Sequence, residues 1–163
     1  MDFQSKTKSP RNGSDACRSI YFSSNCSGGI TPWKTFLTCE ENYDQFYGET
    51  ERLNDGSTYH RPSAFGWENF YKYPPEHYGW VVEIDPKNGA VQKHVALGRF
   101  AHECCTLFQL KDKRVVAYSG DDSNDQHLYK FVSSKPNSLK EGTLYVADTN
   151  NGKWIALDWA NQP

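Results

Sequence analysis

The sequence predicts an all-β protein made of antiparallel sheets, as in sandwiches, barrels and propellers. Runs rich in aromatic residues, Thr and Val alternate with clusters of Asp, Asn and Gly, a pattern typical of short strands joined by turns. No segment shows the 3.6-residue apolar period of an amphipathic helix, so we expect few helices. The predicted strands are residues 35–39, 79–85, 90–96, 103–109, 115–119, 127–132, 143–147 and 154–157.

An internal repeat favours β-propeller blades among these architectures. Residues 79–89 resemble residues 142–152, because in each segment an apolar strand ends in Asp-x-x-Asn-Gly, a strong hairpin signal. Upstream of each copy a predicted strand ends in two acidic residues. The repeat indicates a partial propeller of about two four-stranded blades. Two blades cannot close a ring, so we expect missing blades or a second chain to cover the open edges.

Composition limits the domain organisation and the partners. The length of 163 residues suggests one domain, which we place at residues 25–163, after a disordered or trimmed segment at residues 1–24. With 18 basic and 20 acidic residues, we expect neither nucleic acid nor a membrane surface as a partner. No apolar run is long enough to span a bilayer or resembles a signal peptide. The five cysteines match no zinc or thioredoxin spacing, so the redox compartment stays open.

The segment Thr-Cys-Glu-Glu-Asn at residues 38–42 is the first candidate site. Residues 25–37 before it suggest a turn followed by one strand, so Cys39, Glu40 and Glu41 lie at a strand end. Thiolates favour transition metals, and carboxylates bind calcium, magnesium and iron. Neighbours on a strand point to opposite faces, so both glutamates can enter one site only if the strand bends. The alternative is a solvated acidic turn, with Cys39 packed as a small apolar side chain.

Further candidate groups follow along the chain. Asp121 and Asp122 offer hard oxygens of the kind calcium prefers, without EF-hand spacing, and an ordinary acidic turn explains them equally well. Arg99 has the planar guanidinium that can hold a phosphate, or it forms a surface ion pair. The aromatic-rich insertion at residues 59–80 is either a loop that packs its own rings or a lid. The sequence contains no HExxH, P-loop or GxGxxG motif.

Taken together, an ordered set of motifs resembles the PhoX family of alkaline phosphatases. The resemblance implies a six-bladed propeller that holds a cofactor of two irons and several calcium ions and hydrolyses phosphate monoesters. Such enzymes are normally exported to the periplasm by the twin-arginine route. Family members are several times longer than this chain, so the resemblance covers only part of one. The matching segments are residues 25–33, 38–42, 78–86, 97–103, 119–122, 129–132 and 141–147.

The resemblance also implies roles for individual residues. Cys39 would ligate iron, and His102 would either ligate a metal or orient a ligand. The chain departs from the family at Cys104 and Cys105, where small residues are usual. Other implied metal ligands are Glu40, Glu41, Glu103 and, for calcium, Asp121 or Asp122, with Arg99 as the catalytic phosphate clamp.

Two functions follow from these assignments. One is a metal-dependent phosphomonoester hydrolase, present as a partial chain. The other is a non-catalytic fragment of a degenerate propeller that binds metal or a partner. A cofactor of several cations needs more oxygen ligands than this segment supplies, so we expect the isolated chain to be inactive.

Overall fold

A computed structural model describes residues 22–71 and 73–157 as an antiparallel β structure, which confirms the predicted fold class. The closed propeller itself stays a prediction. Residues 1–21 of the predicted terminal segment lie outside the described residues. In residues 22–71 and 73–157 the only α-helix is α1 (Asp44–Tyr47). The strands are β1 (Asn25–Ile30), β2 (Phe36–Glu40), β3 (Glu49–Arg52), β4 (Thr58–Arg61), β5 (Val81–Ile84), β6 (Val91–Lys93), β7 (Thr106–Gln109), β8 (Val115–Gly120), β9 (Leu128–Ser133), β10 (Gly142–Asp148) and β11 (Lys153–Leu157).

The first sheet has four strands in the order β1-β2-β5-β6. Its β5–β6 hairpin is closed by the first Asp-x-x-Asn-Gly segment. The backbone N–H of Asp85 donates to the carbonyl of Ala90 at 2.9 Å, and Gly89 has φ of 69°, a conformation that glycine adopts without strain. Residues 25–30 form the edge strand β1, whereas the sequence suggested a turn there.

The second sheet has five strands in the order β11-β10-β9-β8-β7, one more than the predicted four. The second Asp-x-x-Asn-Gly segment closes its β10–β11 hairpin. There the backbone N–H of Asn151 donates to Asp148 Oδ1 at 3.1 Å, and Gly152 has φ of 63°. Both predicted hairpins are therefore present, one in each sheet.

The segment between β2 and β5 is an aromatic subdomain beside the first sheet. It contains α1, the two-stranded sheet β3–β4 and two short 3₁₀ turns, Trp67–Asn69 and Pro75–His77. Its centre is the stacked pair Tyr47 and Tyr78, with ring centroids 3.8 Å apart and both rings buried. Trp67 of the insertion packs against Phe46 and Tyr47, whereas Phe65 and Phe70 are 57% and 81% exposed, so only part of the insertion packs its rings and its role as a lid stays a prediction.

The main hydrophobic core joins the two larger sheets. Leu37 and Val81 of the first sheet belong to the same buried cluster as Val115 and Phe131 of the second. Segment 101–103 crosses between the sheets at their edge. His102 N–H donates to the carbonyl of Glu40 at 3.0 Å, so the end of β2 is held close to the end of β8. Within the described residues, no helix has the length and apolar character needed to cross a membrane.

Candidate metal centre

A thiol and carboxylates converge where the two sheets meet. Potential ligand atoms of Cys26, Glu41 and Glu103 all lie within 4.8 Å of one another. The carboxyl group of Asp122 lies near enough to that of Glu41 to raise its pKa and so borders the same group. We call these four residues the thiol–carboxylate cluster.

A β-bulge brings Cys26 to the cluster. Asn25 pairs with Glu40 and Gly28 pairs with Thr38, so β1 has one more residue than β2 between these two pairs. Bulges redirect side chains, and Cys26 lies within this one. Gly28 fits the tight pairing because a Cβ atom there would lie 2.8 Å from the carbonyl oxygen of Leu37.

Backbone hydrogen bonds fix the other cluster residues. The N–H of Ser27 donates to the carbonyl of Glu103 at 3.1 Å, and the N–H of Glu41 donates to the carbonyl of Ser24 at 3.1 Å. The N–H of Asp122 donates to the carbonyl of Ala101 at 3.0 Å. Strand ends from both sheets therefore contribute to the same group, although they are far apart in sequence.

The negative charges of the cluster lie close enough together to need compensation. Burial raises the pKa of Glu41, and the hydrogen bond and negative charge of Asp122 raise it further. Desolvation beside the other cluster residues and the neighbouring carboxylates of Glu41 and Glu103 raise the pKa of the exposed Cys26 thiol. Because like charges this close repel, a cation or a proton must compensate them. Sulfur beside carboxylates suits a transition metal such as iron, so the donor set fits the metal that the resemblance implies.

Cys39, the predicted iron ligand, lies in the hydrophobic core instead of this cluster. Its side chain is 1% exposed and packs in the same buried cluster as Leu37 and Val81. Burial raises the pKa of its thiol to about 12, and the neighbouring thiols of Cys104 and Cys26 add to the shift. Iron ligation by Cys39 stays a prediction that its position does not support. Sequence reasoning missed Cys26, although the two glycines after it signal an irregular strand.

The side chains of Glu40 and Glu41 point to different sides, as expected of neighbours at a strand end. Glu41 enters the cluster, whereas Glu40 is buried in an ion pair with Lys93, at 2.8 Å and 2.9 Å from Nζ to the two carboxylate oxygens. The backbone N–H groups of Ser23 and Trp80 also donate to this carboxylate, at 3.0 Å and 3.1 Å. Glu40 therefore has a full set of partners from the chain itself, and its predicted metal role has no support from the geometry.

The Arg99 guanidinium is bound to groups of the chain. Its Nε donates to the carbonyl of Tyr78 at 2.8 Å and its Nη2 to that of Pro75 at 2.8 Å. Nη2 also lies 3.0 Å from a carboxylate oxygen of Glu49, and the guanidinium stacks over the ring of Tyr43. These contacts give Arg99 a structural role, and the predicted phosphate clamp stays untested.

His102 and Asp121 lie beside the cluster without joining it. His102 is fully buried, with Nε2 3.0 Å from the carbonyl of Gly98 and Nδ1 2.7 Å from Ser119 Oγ. Burial lowers its pKa to about 4, so the ring is neutral at pH 7. Both ring nitrogens have partners, which fits a structural role. Asp121 pairs with His102 in an isolated bridge, and its Oδ1 is buried without a hydrogen-bond partner among the described residues.

The fold and the thiol–carboxylate cluster together place the chain in a class of protein. This class consists of antiparallel β-proteins with a thiol–carboxylate site where two sheets meet. A sequence model of the family described as alkaline phosphatase PhoX matches residues 6–162. The chain belongs to this PhoX family. The comparison with curated proteins found no match.

A solved structure supports the same relationship. The chain is 35% identical to a Pseudomonas fluorescens PhoX that was solved in complex with vanadate, a transition state analogue, and the TM-score is 0.63. The match covers 82% of this chain and 30% of that one. The chain therefore spans less than a third of the length of this relative.

Proposed function

We propose that the chain is part of a metal-dependent phosphomonoester hydrolase, an alkaline phosphatase of the PhoX type. The observation that carries the proposal is the convergence of Cys26, Glu41, Glu103 and Asp122 in a chain that the PhoX family matches over residues 6–162. The vanadate bound to the Pseudomonas relative mimics a phosphoryl group in transfer, which supports a phosphate ester as substrate.

Iron and calcium are the proposed metals. Cys26, Glu41 and Glu103 would hold iron, and Asp122 would serve calcium together with Asp121, whose Oδ1 has no hydrogen-bond partner in the part of the chain that the structure describes. When bound, such metals polarise phosphoryl oxygens and lower the pKa of bound water. Further oxygen ligands would come from the part of the protein that this chain does not span.

The residues of the cluster also control protons. Desolvation and the Glu41 carboxylate raise the pKa of the Cys26 thiol, and desolvation and Asp122 raise the pKa of Glu41, so both groups hold their protons more tightly. These protons must leave before sulfur and oxygen can bind a cation, so metal affinity should rise with pH. The cluster is partly exposed, which leaves an open side for metal and substrate.

A non-catalytic metal-binding fragment is the second candidate. The contacts of Arg99 favour this candidate, because its guanidinium already donates to the carbonyls of Tyr78 and Pro75 and pairs with Glu49. This candidate predicts metal binding without turnover, even when the remaining blades are supplied.

Two measurements test the proposal. The first is titration of the chain with Co²⁺, a spectroscopic substitute for iron that shows a charge-transfer band when a thiolate binds it. We expect the band in the wild type and in Cys39→Ser, and its loss in Cys26→Ser. A band that persists in Cys26→Ser would overturn the ligand assignment.

The second measurement is hydrolysis of p-nitrophenyl phosphate with iron and calcium supplied. We expect little activity from the chain alone and restored activity when the missing blades are added, in cis or as a second chain. Rapid hydrolysis by the chain alone would show that the cluster needs no further ligands. A complete, metal-loaded protein without activity would favour the non-catalytic candidate.

A further inference from the structure

We propose that the buried Glu40–Lys93 pair is a positioning device that sets the geometry between Cys26, Glu41 and Glu103. The inference rests on the proposed function, because it concerns the same cluster. Neither residue of the pair belongs to the cluster, and both side chains are shielded from solvent.

Glu40 contacts each chain segment that supplies one of these three residues. Its Oε1 accepts from the N–H of Ser23, three residues before Cys26, and its backbone carbonyl accepts from the N–H of His102, immediately before Glu103. Glu41 is the next residue along the chain. A single buried residue therefore has direct bonds to, or is adjacent to, every one of these segments.

Lys93 holds the Glu40 side chain in the rotamer that accepts the N–H of Ser23, whereas the bond from His102 goes to the Glu40 backbone carbonyl. The Nζ of Lys93 donates to both carboxylate oxygens and to the carbonyl of His77. The other strong donor to Glu40 is the N–H of Trp80, at 3.1 Å from Oε2. Lys93 and Trp80 thus fix the carboxylate from the side of β5 and β6, and its remaining bond orients the segment that enters the bulge.

A buried ion pair is a poor source of stability compared with well-packed apolar residues, because both charges lose their hydration. A pair used only for stability could therefore be replaced by apolar side chains without loss. A positioning pair could not, because apolar side chains cannot accept the N–H of Ser23. This difference separates the two roles.

The test is the double variant Glu40→Met with Lys93→Met, studied in the full chain. Amide hydrogen exchange without metal reports the positions directly. We expect the double variant to fold but to lose protection at the N–H groups of Ser27 and Glu41, which donate to Glu103 and Ser24 in the wild type. Wild-type protection at both amides would overturn the inference.

Co²⁺ titration is the second readout. We expect the double variant to bind Co²⁺ at least about ten-fold more weakly than the wild type, with a diminished thiolate band. Glu83→Gln is the matched control, since Glu83 is a half-buried carboxylate on β5 that bonds Trp33, Thr35 and His94 away from the cluster. We expect the control to keep wild-type Co²⁺ affinity, and equal losses in both variants would overturn the inference.

The test must also cover a double variant that does not fold and a wild type that binds no Co²⁺. If the double variant does not fold, Ser23→Pro takes its place, because proline removes the N–H that donates to Glu40 and leaves the ion pair intact. It should weaken Co²⁺ binding at unchanged melting temperature, and unchanged binding would overturn the inference. If the wild type binds no Co²⁺ through Cys26, the proposed function fails, and the exchange measurement still decides the positioning role.

Discussion

Arg99 and Glu49 form a partly buried ion pair, with Nη2 3.0 Å from the carboxylate, that ties β3 to the loop after β6. The same guanidinium binds the carbonyls of Tyr78 and Pro75. It therefore joins the aromatic subdomain to the body of the protein, and it does so with the donors that a phosphate clamp would need.

Arg99→Lys should lower the free energy of unfolding by about 1–3 kcal/mol, because an ammonium cannot serve three acceptors spaced for a planar fork. Urea denaturation measures the change. Arg114→Lys is the control, since its ion pair with Asp112 is exposed and should contribute less than about 1 kcal/mol. Unchanged stability with lost phosphate affinity in the complete protein would instead support the phosphate clamp.

Glu83 should make stability depend on acid pH. Burial alone would raise its pKa, but hydrogen bonds from His94, Thr35 and Trp33 lower it to about 2. A carboxyl whose pKa is lower in the folded state stabilises the fold above its unfolded pKa of about 4.5, and this contribution disappears as the pH falls toward 2.

Glu83→Gln should therefore be less stable than the wild type at pH 7, by roughly 2–3 kcal/mol, and the difference should shrink steadily below about pH 4.5. Urea denaturation across this pH range measures both. Glu141→Gln is the control, because its ion pair with Lys135 is exposed. A stability difference that does not change with pH would contradict the assigned role of Glu83.

Gly142 should not tolerate a side chain. A Cβ atom there would lie 2.4 Å from the buried Phe131 ring and 2.4 Å from the carbonyl oxygen of Val132. Gly142→Ala should destabilise the protein by about 1–3 kcal/mol, since backbone and a packed ring cannot both move. Gly29→Ala has open space at its Cβ and should change the melting temperature little. Equal melting temperatures for both variants would contradict this packing.

The cysteines should react with iodoacetamide at very different rates. Cys26 is exposed, whereas Cys39 is buried and its pKa is raised to about 12. Alkylation at pH 8, followed by peptide mass spectrometry, should label Cys26 well before Cys39 because the thiolate is the reactive form. Urea should equalise the two rates. Rapid labelling of Cys39 in the native chain would contradict its place in the core.

Local patterns predicted eight of the eleven strands among the described residues, because alternation and the Asp-x-x-Asn-Gly turns depend on contiguous residues. They missed β3 and β4. They failed at β1, whose Asn-Cys-Ser-Gly-Gly sequence suggests a turn and whose strand exists only through pairing with β2. Glu41 and Glu103 could be named from the sequence, but which thiol accompanies them depends on a bulge. The fate of Glu40 depends on Lys93, a partner 53 residues away, and such long-range contacts leave no local signal.

The wide spacing of the cluster along the chain has a consequence for biogenesis. Cys26 and Asp122 are about a hundred residues apart, and hydrogen bonds to other segments hold Asp122 and Ser27, the residue after Cys26. During synthesis the ribosome releases the first sheet well before β8 emerges, since translation proceeds at about 5–20 residues per second. Until then Cys26 is an accessible thiol without its full set of carboxylates. Binding of the proposed metal would therefore be a late step in the maturation of the protein, and cellular factors that protect nascent thiols would have several seconds in which to act.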